Sequence, residues 1–137
     1  MIVDSSVWID FLGRRPSPVA RSVRDYLVSG GRVYLTPIVM QEVLQGARDA
    51  RHLEALKRVL SSFPLCETGD ARQTAALAGE LYARCRWQGV TIGSPNDCLI
   101  AAFAIESGQP VLSKDHDFRV LRRFDARLQL VDITIED

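Results

Sequence analysis

The chain places acidic residues at positions where a carboxylate is difficult to solvate. Asp4 ends a short apolar run, Asp115 follows a second one, and Asp97 directly precedes eight consecutive apolar residues. On the helical wheel, Glu42 lies between apolar residues of a predicted helix. It is too far from Thr36 to complete a capping box. Carboxylates that converge repel one another and lose hydration unless some are protonated or a cation joins them. These acids therefore favour a divalent metal site.

The ligand types narrow the choice of metal. Carboxylate oxygens without histidine or thiolate favour Mg²⁺ or Mn²⁺ over zinc. The only histidines are His52, predicted on the solvated face of a helix, and His116, which we expect beside the acids but not as a ligand. The sequence contains no convincing histidine base and no convincing serine or cysteine triad. A bound metal would then have to generate the nucleophile from water.

Most of these acids also have an explanation that involves no metal. Asp4 is a suitable helix cap, although the two serines that follow it are equally good caps. Asp97 would be favoured by the helix dipole in a first turn. Asp115 and Asp117 are ordinary turn residues when each is taken alone. Glu42 is the hardest of the set to explain as a solvated residue.

Short apolar segments alternate with helices along the chain. Strands are predicted at residues 2–3, 33–35, 111–113 and 128–135, with a weaker candidate at residues 64–66. Caps, prolines and helical spacing predict helices at residues 7–12, capped by Ser5 or Ser6, and at residues 18–28, 37–44, 51–62, 71–86, 95–105 and 118–123. The helix with eight consecutive apolar residues is expected to be buried on all sides.

This alternation predicts an α/β fold with three layers, α/β/α, around a central and mainly parallel sheet. The length of 137 residues predicts a single domain that spans residues 1–137. In such a sheet, ligands bind beyond the carboxyl ends of the strands. Asp4 and Asp115 follow predicted strands, so we expect the acids to meet there.

The composition excludes several classes of protein. With 47% hydrophobic and 25% charged residues, the chain is neither disordered nor a disulfide-rich miniature scaffold. Seventeen basic residues balance seventeen acidic ones, so attraction to nucleic acid would have to come from local patches. Cys66, Cys85 and Cys98 lack zinc or redox spacing and are predicted as buried thiols. Without a signal sequence or a long apolar run, we expect a cytoplasmic protein that does not associate with membranes.

Four segments of the chain resemble known motifs. They are residues 2–10 (IVDSSVWID), 36–43 (TPIVMQEV), 97–102 (DCLIAA) and 113–118 (SKDHDF). In this order they are similar to the four acidic motifs of PIN-domain ribonucleases, specifically the VapC toxins of VapBC toxin-antitoxin pairs. The resemblance covers essentially the whole chain. Ser113 stands where the motif commonly has threonine, which keeps the hydroxyl.

The resemblance implies a Mg²⁺-dependent endoribonuclease that forms a homodimer. It also implies a VapB antitoxin that wraps the toxin and reaches into its acidic crevice. Ser6 would correspond to a hydroxyl residue near the metal. The implied catalytic acids are Asp4, Glu42, Asp97 and Asp115. The implied ligands of Mg²⁺ or Mn²⁺ are Asp4, Asp97, Asp115 and Asp117.

Arginine clusters and one tryptophan are candidate contacts to an RNA substrate. The candidates are Arg14 and Arg15, then Arg84, Arg86 and Trp87, then Arg119, Arg122 and Arg123. We select Arg86 and Ser6 as substrate-binding residues and Trp87 as a platform for base stacking. A solvated face or a dimer contact remains the alternative for each cluster.

Other functional classes fit the sequence less well. A receiver-like phospho-acceptor needs an early acidic pair and more βα units, and a phosphatase of the haloacid dehalogenase type needs an acid where Ser6 stands. A non-toxin RNA-processing nuclease of PIN type and a catalytically inactive interaction domain remain as alternatives. RNA cleavage that requires Mg²⁺ and stops with EDTA separates a nuclease from an inactive domain.

An inhibitor of an acidic crevice is expected to combine a basic side chain with an apolar segment. We expect it to cover the first helix, with Trp8, Phe11 and Leu12, and the helix predicted at residues 51–62. A position in the core is the alternative for at least one of Trp8 and Phe11.

Overall fold

Two short strands form the centre of the sheet in the computed structural model, which describes residues 1–13 and 17–132. The first strand, β1 (Ile2–Val3), runs parallel to β2 (Val111–Leu112), in register from the first residue of each. All four residues are buried. Apolar aliphatic residues suit strands that are covered on both faces, as parallel strands usually are.

Further segments extend the sheet through single parallel bridges, which join Tyr34 to Ile2, Leu65 to Leu35, and Leu130 to Val111. Across the sheet the order is therefore residue 65, residues 34–35, β1, β2 and residue 130. Chain order reverses between β1 and β2. That reversal is the point at which open α/β sheets bind ligands.

Seven helices accompany the sheet within the described residues. They are α1 (Ser5–Leu12), α2 (Pro18–Val28), α3 (Pro37–Gln45), α4 (Ala50–Leu60), α5 (Ala71–Trp87), α6 (Pro95–Ser107) and α7 (Asp117–Phe124). Three begin at the predicted caps, because the side chains of Thr36, Asp70 and Ser94 accept a hydrogen bond from a first-turn N–H. Helix α2 begins at Pro18 as predicted, and the side chain of Ser17 caps it.

The strand order places the helices on two faces of the sheet. Crossover connections between parallel strands are right-handed, so reversing the order moves the later helices to the opposite face. Most helix contacts agree, because α1 packs on α2 and α3, and α3 on α4, whereas α5, α6 and α7 pack on one another; α3 also contacts α6, which joins the two groups. The three-layer α/β/α prediction is confirmed.

Some local predictions are wrong in detail. Ser5 and Ser6 belong to α1 and do not cap it. The strand predicted at 111–113 ends at Leu112, and the segments predicted at 33–35 and 64–66 contribute only bridges. Backbone hydrogen bonds still join these segments to their neighbours, from Tyr34 N–H to Met1 O and from Leu35 N–H to Pro64 O, but too few follow one another to extend the strands. Residues 133–135 of the last predicted strand lie outside the described residues.

Helix boundaries and burial also differ slightly from expectation. The helix predicted at 51–62 is α4, and residues 61–62 form a turn after it. Helix α6 is not buried on all sides, because Leu99, Phe103 and Ile105 remain partly exposed. The neighbouring helices α3, α5 and α7 therefore do not cover α6 completely.

The core fills the space between the sheet and both helical layers. Trp8 is fully buried and packs edge-to-face against Phe63 and Phe11, with centroid distances of 4.9 and 5.8 Å. The cysteines are free and buried, as predicted. Within residues 1–13 and 17–132, no helix is long and apolar enough to cross a membrane.

Candidate active site

Asp4 lies at the carboxyl end of β1 and is 4% exposed. It occupies the N-cap position of α1, but its side chain makes no capping hydrogen bond. Its Oδ2 instead accepts hydrogen bonds from Ser113 Oγ at 2.8 Å and from Ser6 Oγ at 3.0 Å. The explanation of Asp4 as a capping side chain is therefore wrong. Ser6, predicted as a substrate contact, donates its hydroxyl proton to this carboxylate.

A relay of hydrogen bonds leads from Ser113 through the loop that follows β2. The N–H of Asp115 donates to Ser113 Oγ at 2.9 Å, and the N–H of Asp117 donates to Asp115 Oδ1 at 2.9 Å. Asp117 Oδ2 then accepts the N–H of Gly93 at 2.9 Å. These bonds orient the loop acids with respect to the strand ends and to the loop before α6.

Three carboxylates form the closest group of acids. One oxygen from each of Asp97, Asp115 and Asp117 lies within 4.8 Å of the other two. Asp97 reaches the group from the first turn of α6, whose start Ser94 caps. Asp97 is 6% exposed, and its Oδ2 is buried without a hydrogen-bond partner among the described residues. Buried oxygens normally have a hydrogen-bond partner or a bound cation, so this one is free to accept either.

Glu42 approaches from α3 and stands apart from that three-acid group. Its Oε1 is buried and, within the described parts of the chain, has no hydrogen-bond partner. Burial raises the pKa of Glu42, and the Asp4 carboxylate raises it further. Glu42 is thus electrostatically coupled to the site.

The charges at the site affect Asp97 most. Burial, as the largest cause, and the neighbouring carboxylates of Asp4, Asp115, Asp117 and Glu42 together raise the pKa of Asp97 from 3.8 to about 7. All the predicted acids therefore act on one carboxyl group. Asp4 itself lies beside the three-acid group, with its Oδ2 engaged by two serines.

Lys114 lies between Ser113 and Asp115 in the sequence, but its ammonium group pairs with a residue of α1. Its Nζ contacts Asp10 Oδ2 on α1 at 2.7 Å, and this bond lowers the pKa of Asp10. The pair ties the loop after β2 to α1. Sequence reasoning missed this pair because nothing in the local sequence links residues 104 positions apart.

The role of Gly93 was also missed. A Cβ atom at this position would lie 3.2 Å from Asp117 Oδ2, which is tighter than an ordinary contact. Glycine therefore lets the backbone N–H approach the carboxylate. A glycine within a loop was the available signal, but its partner was visible only in the fold.

The remaining candidates predicted from the sequence lie around the site or away from it. His116 is exposed just before α7, and His52 lies on α4. Arg86 is exposed near the end of α5. Arg14 and Arg15 lie outside the described residues.

The donor set fits a hard divalent cation. The three close acids offer only oxygen ligands, and one buried oxygen lacks a partner. A cation would offset the repulsion that raises the pKa of Asp97. The residues that would hold it are Asp97, Asp115 and Asp117, with Asp4 beside them.

Comparison with known proteins identifies the family. The sequence model of the PIN domain matches residues 1–124. Ribonuclease VapC11 of Mycobacterium tuberculosis is 34% identical over 124 residues, covering 90% of this chain and 92% of the relative. The chain belongs to the VapC family of PIN-domain proteins. VapC ribonuclease Mb1587 of Mycobacterium bovis shows the same identity and coverage.

Solved structures share this VapC-family fold. The VapBC2 structure from Rickettsia felis matches with a TM-score of 0.74 at 17% identity, covering 97% of this chain and 98% of the other. The VapBC-1 structure from nontypeable Haemophilus influenzae matches with a TM-score of 0.70 at 21% identity, covering 96% of each. A single domain over residues 1–137 stays a prediction, since the family match ends at residue 124.

Asp97 should make the stability of the metal-free protein depend on pH. Its pKa is raised, so between about pH 4 and 7 the folded chain holds a proton that the unfolded chain releases. The contribution of Asp97 to the free energy of unfolding therefore falls as pH rises. In EDTA, Asp97→Asn should melt at a higher temperature than the wild type at pH 8, and the difference should shrink steadily as the pH falls from 7 towards 4. Equal melting temperatures at pH 8 would contradict the burial penalty, and the exposed Asp25→Asn serves as control.

Proposed function

We propose that this protein is a Mg²⁺-dependent endoribonuclease and the toxin of a type II toxin-antitoxin pair. The observation that carries the proposal is the Asp97, Asp115 and Asp117 group with its partnerless buried oxygen. The relatives named VapC ribonuclease support RNA as the substrate. Mn²⁺ is an alternative ion, because it has the same preference for oxygen ligands.

In this proposal the acids have distinct tasks. Asp97, Asp115 and Asp117 hold the cation, with Asp4 as the additional ligand. When bound, such a cation supplies positive charge to the phosphoryl oxygens and lowers the pKa of water. Glu42 stands outside the close group with a raised pKa, so we assign it to orienting the attacking water or moving its proton at Oε1.

Ser6 and Ser113 act through Asp4. Both donate to Asp4 Oδ2, and Ser113 also accepts from the N–H of Asp115. The serines therefore fix the orientation of acids that come from two strand ends. We revise the role of Ser6 from substrate contact to positioning residue.

Removing one acid should abolish cleavage. Asp4→Asn and Asp97→Asn each take one negative charge from the site and should leave the fold intact, because they also relieve repulsion. Cleavage of RNA in Mg²⁺ and thermal melting should be measured together. Asp25→Asn, an exposed substitution of the same kind on α2, should retain full activity. Full activity in both site variants would overturn the assignment.

Added cation should stabilise the folded chain. An ion that binds only the folded state at a hundredfold excess over its Kd adds about 2.7 kcal/mol to the free energy of unfolding. Mg²⁺ or Mn²⁺ should therefore raise the Tm without RNA present, and Asp97→Asn should reduce the rise. KCl at matched ionic strength controls for screening. An unchanged Tm up to tens of millimolar Mg²⁺ would contradict direct binding to these acids.

We propose that the antitoxin covers the face that carries α1, α3 and α4. A cavity of about 350 Å³ opens there, lined by Ile9, Leu12, Val43 and Leu56 among others. Ile9 is 59% exposed, whereas the predicted contact Trp8 is fully buried and belongs to the core. Similarity to structures of VapBC complexes supports a VapB-like partner. A basic side chain of that partner would enter the acidic crevice.

The homodimer implied by the resemblance stays a prediction. The expected location in the cytoplasm stays one as well.

Expression should reveal toxin activity. The wild-type chain alone should arrest growth of a host cell, and co-expression with the neighbouring small gene should restore it. Asp97→Asn expressed to the same level is the control and should leave growth unaffected. Normal growth with soluble, intact wild-type chain would overturn the toxin proposal and favour a non-toxin RNA-processing nuclease.

A further inference from the structure

Trp87 is the most exposed aromatic side chain in the described part of the chain. It is the last residue of α5 and is 76% exposed, whereas the other tryptophan, Trp8, is fully buried. A single exposed apolar residue is ordinary on a protein surface. The residues around Trp87 indicate a function for it.

Trp87 borders a groove between the last turns of α5 and α7. The groove has a volume of about 750 Å³ and is lined by Trp87, Arg84, Arg123, Phe124 and Glu80, among others. Arg84 and Arg123 are 39 positions apart in the sequence, so the packing of α5 on α7 brings them together. The groove thus combines an open indole face with two guanidinium groups.

The charge around the groove is positive although the chain is neutral overall. Arg86 and Arg122 occupy the same last turns as the two lining arginines. Against them stands Glu80, which lines the groove. Asp125, a further nearby acid, is held by Arg127 through contacts of 2.7 and 3.0 Å, and its charge also acts on Arg84. Positive charge here is therefore available for an anionic ligand.

The groove is connected to the acidic site by two elements. Helix α7 begins at Asp117 and reaches the groove after eight residues, about 12 Å. The loop after α5 starts beside Trp87 and carries Gly93, which donates to Asp117. If the scissile phosphate of a single-stranded RNA lies at the acidic site, the neighbouring nucleotides are within reach of the groove.

We infer that this groove binds single-stranded RNA beside the cleavage position. Trp87 stacks on a base, while Arg84 and Arg123 contact phosphates. This inference rests on the proposed nuclease function for its substrate class. A second copy of the chain is a poorer occupant, because a symmetric contact through this patch would bring the arginines of both copies together.

Binding should be measured in EDTA with a short single-stranded oligoribonucleotide, so that cleavage does not interfere. RNA should quench the emission of the exposed Trp87, and Trp87→Phe should remove the quenching, because Trp8 is shielded in the core. Trp87→Ala should raise the Kd by about 5- to 100-fold. Arg123→Ala should lower the salt dependence of binding by about 0.7 in log–log slope.

Arg58→Ala is the matched control, since this exposed arginine lies on α4 at the opposite face of the sheet. If Trp87→Ala and Arg123→Ala bind RNA as tightly as Arg58→Ala, the inference is overturned. It is also overturned if Trp87→Ala converts a dimer into a monomer without changing the Kd for RNA. That result would make the patch a protein interface.

The same proteins separate this inference from the nuclease proposal. In Mg²⁺, Trp87→Ala should raise KM and leave kcat unchanged, because the residue binds substrate away from the reacting atoms. A wild type that binds RNA through Trp87 but never cleaves it would support the groove and overturn the proposed function. A wild type that cleaves RNA with a KM that Trp87→Ala does not change would support the proposed function and overturn the groove inference.

Discussion

The parallel pairing of β1 with β2 is the constraint on which the acidic site depends. It aligns two strands that are more than a hundred residues apart, so that Asp4 and Ser113 follow adjacent strand ends. The hydrogen bond from Ser113 to Asp4 then joins the two ends at 2.8 Å. From Ser113 the relay continues through Asp115 and Asp117 to Gly93. A shift of register would separate these groups.

The unfavourable side of this arrangement is electrostatic. Asp4 and Asp97 are buried, and burial together with the neighbouring carboxylates raises the pKa of Asp97, which disfavours its charged form. Helix α6 brings Asp97 close to the sheet because the helix carries small buried residues, Ala101, Ala102 and Ala104. Apolar burial along α6 stabilises a helix whose first turn is electrostatically unfavourable. Active sites commonly combine such local cost with a stable scaffold.

Because the strand order reverses, a different helical layer covers each face of the sheet, and the two layers present different surfaces. On one side, the layer from α1 to α4 presents an apolar cavity, which we propose for the antitoxin. On the other, the layer from α5 to α7 presents an aromatic and basic groove, which we propose for RNA. The two surfaces share no lining residues. In this proposal, inhibitor and substrate approach from different helical layers.

The sequence by itself determined the features that depend on neighbours along the chain. Caps at Thr36, Asp70 and Ser94 located helix starts, because the capping bond spans only two or three residues. Alternation of strands and helices determined the fold class. The placement of acids after apolar runs singled out the candidate site.

Only the tertiary structure decided which groups touch. The partners of Asp4, the pairing of Lys114 with Asp10, and the meeting of Arg84 with Arg123 depend on strand register and helix packing, which no local pattern encodes.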